Sequence, residues 1–323
     1  MDGTVSGGRF AVTVVALLCH SAAAASQAGQ DAILSKLLAA VGHGSKRYVE
    51  FGFDSNEHCS GGGGSNTCAL AQQGWTGLLM DGNHDNGSIN LHRHLISSRN
   101  IVHLLHKYDV TLNVDFISAD IDSADLWVVK AILSHGFRPR LFQVEYNSHY
   151  PWTAAITFPD PSAMATNLTH WHDKNCASGA SARALATVFD EFDYVPVAIS
   201  PGLDLFFVPR GVAAANNVPT IDLSLELVEL HFHLPMAASD AIEMIDYSAY
   251  KIAIAQGALP SQAHARGQLK ARDTILGLIN TRPLTCARAW RNTGYRKSLP
   301  QCFAYRKKQL SCLARLQRQQ IVN

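Results

Sequence analysis

"YVPVAISPGLDLFFVPR" (194–210) decides the fold. It holds two apolar runs, "YVPVAIS" (194–200) and "DLFFVPR" (204–210), joined only by the turn "PGL". Strands that close in sequence must run antiparallel, because a parallel pair needs a crossover of about a dozen residues or more. Upstream the pattern is different. From 47 onward, short apolar runs alternate with helix-like segments, the signature of a parallel sheet covered by helices. Strands are predicted at "RYVEFGF" (47–53), "GLLMDG" (77–82), "IVHLLH" (101–106), "VDFISADI" (114–121) and "RLFQVEYN" (140–147). "DLWVVKAILSHG" (125–136) has helical spacing and a terminal glycine, and "ASARALATVFDEF" (180–192) is a second amphipathic helix. Five parallel strands followed by an antiparallel hairpin is a narrow topological class.

Beyond 210 the pattern loosens. "ELHFHLPM" (229–236) reads as a strand end, and "ASDAIEMIDYSAYKIAIAQGA" (238–258) reads as helical. From Arg266 onward there are thirteen Lys or Arg and one acid, Asp273, a net charge of +12 that leaves the preceding residues at −11. At the other end, Arg9 precedes the apolar run "FAVTVVALLC" (10–19), which leads into "HSAAAAS" (20–26) with Ala23 and Ala25 at cleavage spacing. That is the pattern of a secretory signal peptide, and the run is shorter than the roughly 20 residues a bilayer span requires. Removing 1–25 also removes Cys19, leaving Cys59, Cys68, Cys176, Cys286, Cys302 and Cys312. An even set suits an oxidising compartment, and Cys59 with Cys68 is the natural local pair. "NGS" at Asn86 and "NLT" at Asn167 are glycosylation sequons.

The chain therefore divides into a signal peptide (1–25), an N-terminal helix or linker (26–46), an α/β domain (47–210) and a mostly helical extension with a basic, cysteine-bearing tail (211–323). The expected location is the secretory pathway (ER or Golgi lumen) or outside the cell. Behind a signal peptide the candidate anionic partners of the tail are a membrane surface, an acidic glycan or the protein's own acidic domain, with a simple solvated helical face as the equal alternative, and nucleic acid is not expected. No transmembrane helix is expected in the mature chain.

"VEFG" (49–52), "SNT" (65–67), "GWTGLLMDGN" (74–83), "ISADIDSADLWVVKAI" (117–132), "PRLFQVEYN" (139–147), "GASARAL" (179–185) and "LDLFFVPR" (203–210) stand in an order and spacing that resembles a methyltransferase-like family related to FkbM-type enzymes. The resemblance spans half of the chain. "DIDSAD" keeps the family's acid spacing at Asp120, Asp122 and Asp125, with Ser123 in place of a glycine. It implies a Rossmann-like, seven-stranded class I methyltransferase sheet, S-adenosylmethionine as cofactor, and methyl transfer to a hydroxyl of a glycan, glycolipid or small molecule.

In such a sheet the ligand sits outside the carboxyl ends of the strands, where the strand order reverses. Glu50 and Gly52 close the first strand, and a glycine there lets backbone approach a ligand. Asp81 closes the second, where a carboxylate can accept from ribose hydroxyls. Asp120 closes the fourth and faces cofactor and acceptor, so it is the expected general base, with Asp122 and Glu145 behind it. Asp122, ahead of "SADLWVV", is assigned to capping the next helix. Asp120, Glu145 and Asn147 also form an oxygen set that suits Mg2+ or Ca2+, though oxygen ligands alone are unspecific. Trp75 and Trp127 are expected in the core. The His-x-His pairs 92/94, 170/172 and 231/233 are expected to be satisfied or surface histidines, with 231/233 as a zinc half-site if it lies on a strand.

One departure bears on function. Phe53, Asp54 and Ser55 follow Gly52 where methyltransferases carry further glycines, and the four glycines at 61–64 lie in "CSGGGGSNTC", read as an insertion. Alternatives of other classes follow from that departure: an inactive binding protein that keeps the fold, or a divalent-metal enzyme using the acidic strand ends.

Overall fold

The computed structural model describes residues 26, 30–52, 55–59, 65–148, 150–160, 162, 179–200, 202–226 and 244–281. Helix α1 (Gln30–Val41) leads into strand β1 (Arg47–Phe51), helix α2 (Cys68–Gln72), strands β2 (Thr76–Asp81) and β3 (Leu91–Arg93), and helix α3 (Ile101–Lys107). Then come β4 (Phe116–Ala119), α4 (Asp125–Ser134), β5 (Leu141–Glu145), β6 (Ile156–Thr157) and α5 (Ala182–Glu191). The hairpin β7 (Tyr194–Ser200) and β8 (Asp204–Pro209) follows, then α6 (Arg210–Ala215), α7 (Leu223–Glu226), β9 (Ile245–Asp246), α8 (Tyr247–Ala255) and α9 (Pro260–Thr281).

Seven strands form one sheet in the order β3-β2-β1-β4-β5-β8-β7. β1 to β5 pair in parallel, and β8 lies antiparallel to both β5 and β7. The hairpin expected from 194–210 is therefore present, and it supplies the one reversed strand. Its register shifts between Pro196 and Ala198, a bulge on an edge strand where a proline without an N–H is tolerated. A second pair, β6 with β9, is antiparallel.

The third strand is not where the sequence reading put it. "IVHLLH" forms α3, with Ile101, Leu104 and Leu105 buried at helical spacing. Its place in the sheet is taken by the three residues of β3, of which Leu91 is buried. The helix expected over 238–258 is likewise interrupted: among its described residues, Ile245 and Asp246 pair with Thr157 and Ile156, and Asp246 then caps α8 by accepting from Ala249 N at 3.0 Å. The segment 229–236 and the pairs His170/His172 and His231/His233 lie outside the described residues, as does the tail beyond Thr281.

Alternation along the strands sorts the core onto two faces. On one face, Val49, Phe51, Met80, Ile117, Phe142, Val144 and Phe207 pack with α3, α4 and α5, joined by Tyr247, Tyr250 and Ala263 from α8 and α9. On the other, Tyr48, Leu79, Phe116, Leu141 and Phe206 pack under α1 through Leu34, Leu37, Leu38 and Val41. Trp75 and Trp127 are both buried, as expected. Cys59 and Cys68 are joined by a disulfide, which closes the glycine-rich segment. Among the described residues no helix is long and apolar enough to cross a membrane.

Candidate functional site

The chain leaves β1 toward β2 and β3 on one side and returns to β4 and β5 on the other, so the strand order reverses between β1 and β4. A crevice for ligands is expected outside the carboxyl ends at that point. In register, Glu145 faces Asp204 and Asp204 faces Ser200. Continuing the parallel registers by one residue, which the bonds Gly52 N to Met80 O (3.0 Å) and Asp120 N to Phe51 O (3.2 Å) support, sets Asp81, Gly52, Asp120 and Glu145 in the same transverse row. The row lies on the α1 face and, with Asp204, carries four carboxylates, Gly52 separating Asp81 from the other three. One step deeper a second row holds Glu50, Ser118 and Gln143.

These acids live in different surroundings. Glu50 is buried, and its carboxylate accepts from Asn66 N (2.6 Å), Thr67 N (3.1 Å), Ser65 Oγ (3.1 Å) and Thr67 Oγ1. Burial pushes its carboxyl up while these donors pull it back. Its side chain thus fastens the segment that enters α2, and Glu50 spends both oxygens there. Gly52 has φ +88°, and a Cβ on it would sit 1.2 Å from the carbonyl oxygen of Asp120. Its missing side chain makes room for the neighbouring strand end. Asp81 takes three bonds on Oδ1, from Asn83 N (2.7 Å), His84 N (2.9 Å) and His84 Nδ1 (2.8 Å), so Oδ2 is the atom left to a ligand.

Asp120 and Glu145, expected as base and partner, are brought together and share a hydrogen bond. Burial and the adjacent Glu145 charge hold the Asp120 carboxyl well above the usual carboxylate range, with Asp122, Asp125 and Asp204 adding to the effect. Burial and the neighbouring acids raise Glu145 likewise. Two half-buried carboxyls that hydrogen-bond and raise one another titrate as a coupled pair. Ligand oxygens of Asp120, Asp122 and Glu145 lie within 4.8 Å of one another, a span that a divalent cation with oxygen ligands can bridge. Asn147, the third oxygen expected from sequence, is buried two residues beyond Glu145, with its backbone N bonded to Ala180 O at 2.7 Å.

Asp122 does not cap α4. It is exposed with φ +59°, whereas Asp125, fully buried at the first turn, accepts Ile121 N (2.8 Å) and Ser123 N (3.0 Å) and ties the turn together. The reason is geometric: the turn places Asp122 in the left-handed region facing outward, so the acid three residues later meets the free amides. Burial pushes Asp125 up to about 6, against the pull of those amides.

Several members of the site escape a sequence reading. Asp204 is buried and pushed up to about 7 by its burial, against the bond from Gln143 Nε2 (2.9 Å); it also accepts from Gln30 Nε2. The amide oxygens of Gln30, Gln143 and Asn66 are buried without a hydrogen-bond partner, while Asn66 Nδ2 donates to Ser118 Oγ at 3.0 Å. An acid opening the buried strand "DLFFVP" and a lone amide inside "LFQVE" were the available signals. Nothing in the segment 26–46 marked Gln30. Of the histidine pairs, His92 meets Asn90 Oδ1 (2.9 Å) and stacks on Tyr108, and His94 meets Tyr108 Oη (2.7 Å), so both are satisfied.

No protein-family model, curated protein or solved structure matches this chain. The site's own geometry therefore carries the functional reading.

Proposed function

We propose that the chain is an S-adenosylmethionine-dependent O-methyltransferase of the seven-stranded class I kind, acting in the secretory pathway on a hydroxyl of a glycan, glycolipid or small molecule. The observation that carries this reading is the hydrogen-bonded pair Asp120 and Glu145 at the carboxyl ends of β4 and β5, beside the reversal of strand order. The order β3-β2-β1-β4-β5-β8-β7, with one antiparallel strand, agrees with it.

The residues present fit the cofactor at its cationic end. Asn66 Oδ1 and Gln143 Oε1 are buried acceptors without a hydrogen-bond partner, flanking Ser118, and a row of acceptors suits an ammonium or sulfonium group. Asp81 Oδ2 would accept from ribose hydroxyls. When bound, the cofactor supplies an electrophilic methyl group. The chain's own part is proton handling: the ionised member of the Asp120 and Glu145 pair accepts the hydroxyl proton of the acceptor, and the upward shift of the pair makes it a stronger base than an ordinary carboxylate.

A second reading has specific support. Gly52 is packed against Asp120 O and Asp81 Oδ1 is consumed by its own turn, which favours a protein that keeps the sheet as a binding scaffold and docks an anionic surface through its basic tail. Calorimetry of the secreted chain with S-adenosylmethionine and S-adenosylhomocysteine separates the two. Binding that is lost in Asp81→Ala supports the enzyme, and no heat at millimolar ligand refutes it. Asp120→Asn should bind cofactor as the parent does and turn over at least about 100-fold more slowly. Repeating turnover with a chelator shows whether Mg2+ or Ca2+ at Asp120, Asp122 and Glu145 takes part.

A further inference from the structure

Ser26 lies just past the last alanine of "HSAAAAS", and it is 7% exposed although it stands beside the segment read as a leader. Its backbone N donates to Asp31 Oδ2 at 3.0 Å, and its Oγ accepts from Asp31 N at 3.0 Å, so Ser26 is clasped to the first turn of α1 from both sides. The other oxygen, Asp31 Oδ1, is buried with no hydrogen-bond partner. An amide N–H has one hydrogen and has spent it on Oδ2. An ammonium has three, carries the charge that complements the carboxylate, and can serve both oxygens.

We propose that the Ala25–Ser26 bond is a processing site and that the ammonium it frees locks α1 in place through Asp31. The inference rests on the signal-peptide reading and is independent of methyl transfer. In the step, water adds across the Ala25–Ser26 amide under a leader-removing endopeptidase. The carboxyl leaves on Ala25, and the amine stays on Ser26 and takes a proton from solvent at neutral pH. The lock reaches the site, because the residue before Asp31 is Gln30, which donates to Asp204 in the acidic row. Processing thereby adds a charged tie to the helical turn that carries Gln30, the amide that partners Asp204.

The full chain is expressed in secreting cells and the purified product is read by N-terminal sequencing and melting. The expected N-terminus is Ser26, and an intact Met1 or a start at any other residue overturns the processing site. Given a start at Ser26, the lock is tested by inserting one alanine between Ala25 and Ser26, so that the same leader leaves the ammonium one residue too early. The lock predicts a melting temperature lower by about 2–6 °C for that product. It also predicts that Asp31→Asn costs the parent product more than it costs the extended one. Equal melting of parent and extended products, or an equal cost of Asp31→Asn in both, overturns the lock while leaving the leader reading intact.

Discussion

The two ends of β4 are both acidic, and they differ in everything around the carboxylate. At the amino end Asp115, 1% exposed, accepts from Gly44 N (2.5 Å), Ser45 Oγ (3.2 Å) and Arg47 N (3.3 Å), with Arg140 Nε at 3.8 Å. At the carboxyl end the charges near Asp120 are Glu145, Asp122, Asp125 and Asp204, all acids. A buried carboxylate that is fully donated to holds the fold together, whereas one surrounded by its own kind costs stability and is kept for chemistry. Four substitutions, and Gly74→Ala as a control for the first, break or sharpen this contrast.

The largest effect belongs to the contact that makes the acidic end possible. Gly52→Ala puts a Cβ against Asp120 O, where the atom in the way is backbone, at a φ of +88°. The variant should lose at least about 4 kcal/mol or fail to accumulate as folded protein. Gly74 has a similar φ, +80°, with nothing within 4 Å of its would-be Cβ, so Gly74→Ala should cost only about 1–2 kcal/mol. Urea midpoints and the yield of folded protein compare them; equal costs would mean that conformation alone, and not the strand contact, is what Gly52 provides.

Asp115→Ala comes next, at about 2–4 kcal/mol, since it strands two backbone amides and an arginine at the amino end. Under the proposed function it should leave S-adenosylmethionine binding unchanged once the protein is folded, a result that calorimetry reads directly.

Asp120→Asn should do the reverse, raising stability while removing the turnover that the proposed function requires. Carboxyls raised in the folded state bind protons more readily there than in the unfolded chain, so their contribution is full below the unfolded value of about 4 and is lost as pH rises through the folded values. For Asp125 and Asp204 that loss runs through about 6 and about 7. Each such group takes away about 1.4 kcal/mol per pH unit across its window. The parent should therefore have a higher urea midpoint at about pH 5 than at about pH 8, and Asp120→Asn should flatten the difference. A variant with the parent's pH slope would show that Asp120 is not part of the coupled row.

How much of this was legible depended on whether a residue's role is written in its neighbours in sequence. The hairpin at 194–210 was legible because two apolar runs with three residues between them have one geometry, and the pair Asp120 and Glu145 was legible because both close predicted strands. β3 was not, because three residues with Leu91 alone buried carry no period, while the adjacent "IVHLLH" has the apolar content of a strand and the spacing of a helix. Glu50 and Gly52 were correctly placed at the end of β1, but their partners, Ser65 to Thr67 and the carbonyl of Asp120, come from other elements and could not be read from the strand itself. Asp204 and Gln30 belong to the same class: they meet across 174 residues of sequence.

The smallest effect tests the one acid of the group that the fold does not need. Asp122 is exposed, takes φ +59°, and leaves the capping of the 121–123 turn to Asp125. Asp122→Gly removes a left-handed aspartate and one charge beside Asp120, so it should raise stability by about 0.5–1 kcal/mol. A residue whose removal stabilises is held there by something other than folding. If that is a cation shared with Asp120 and Glu145, Mg2+ or Ca2+ should raise the melting temperature of the parent and should not raise that of Asp122→Gly, since only a ligand that binds the native state shifts the transition. A cation response of equal size in both proteins would instead assign the acidic end to proton transfer alone, with Asp122 outside it.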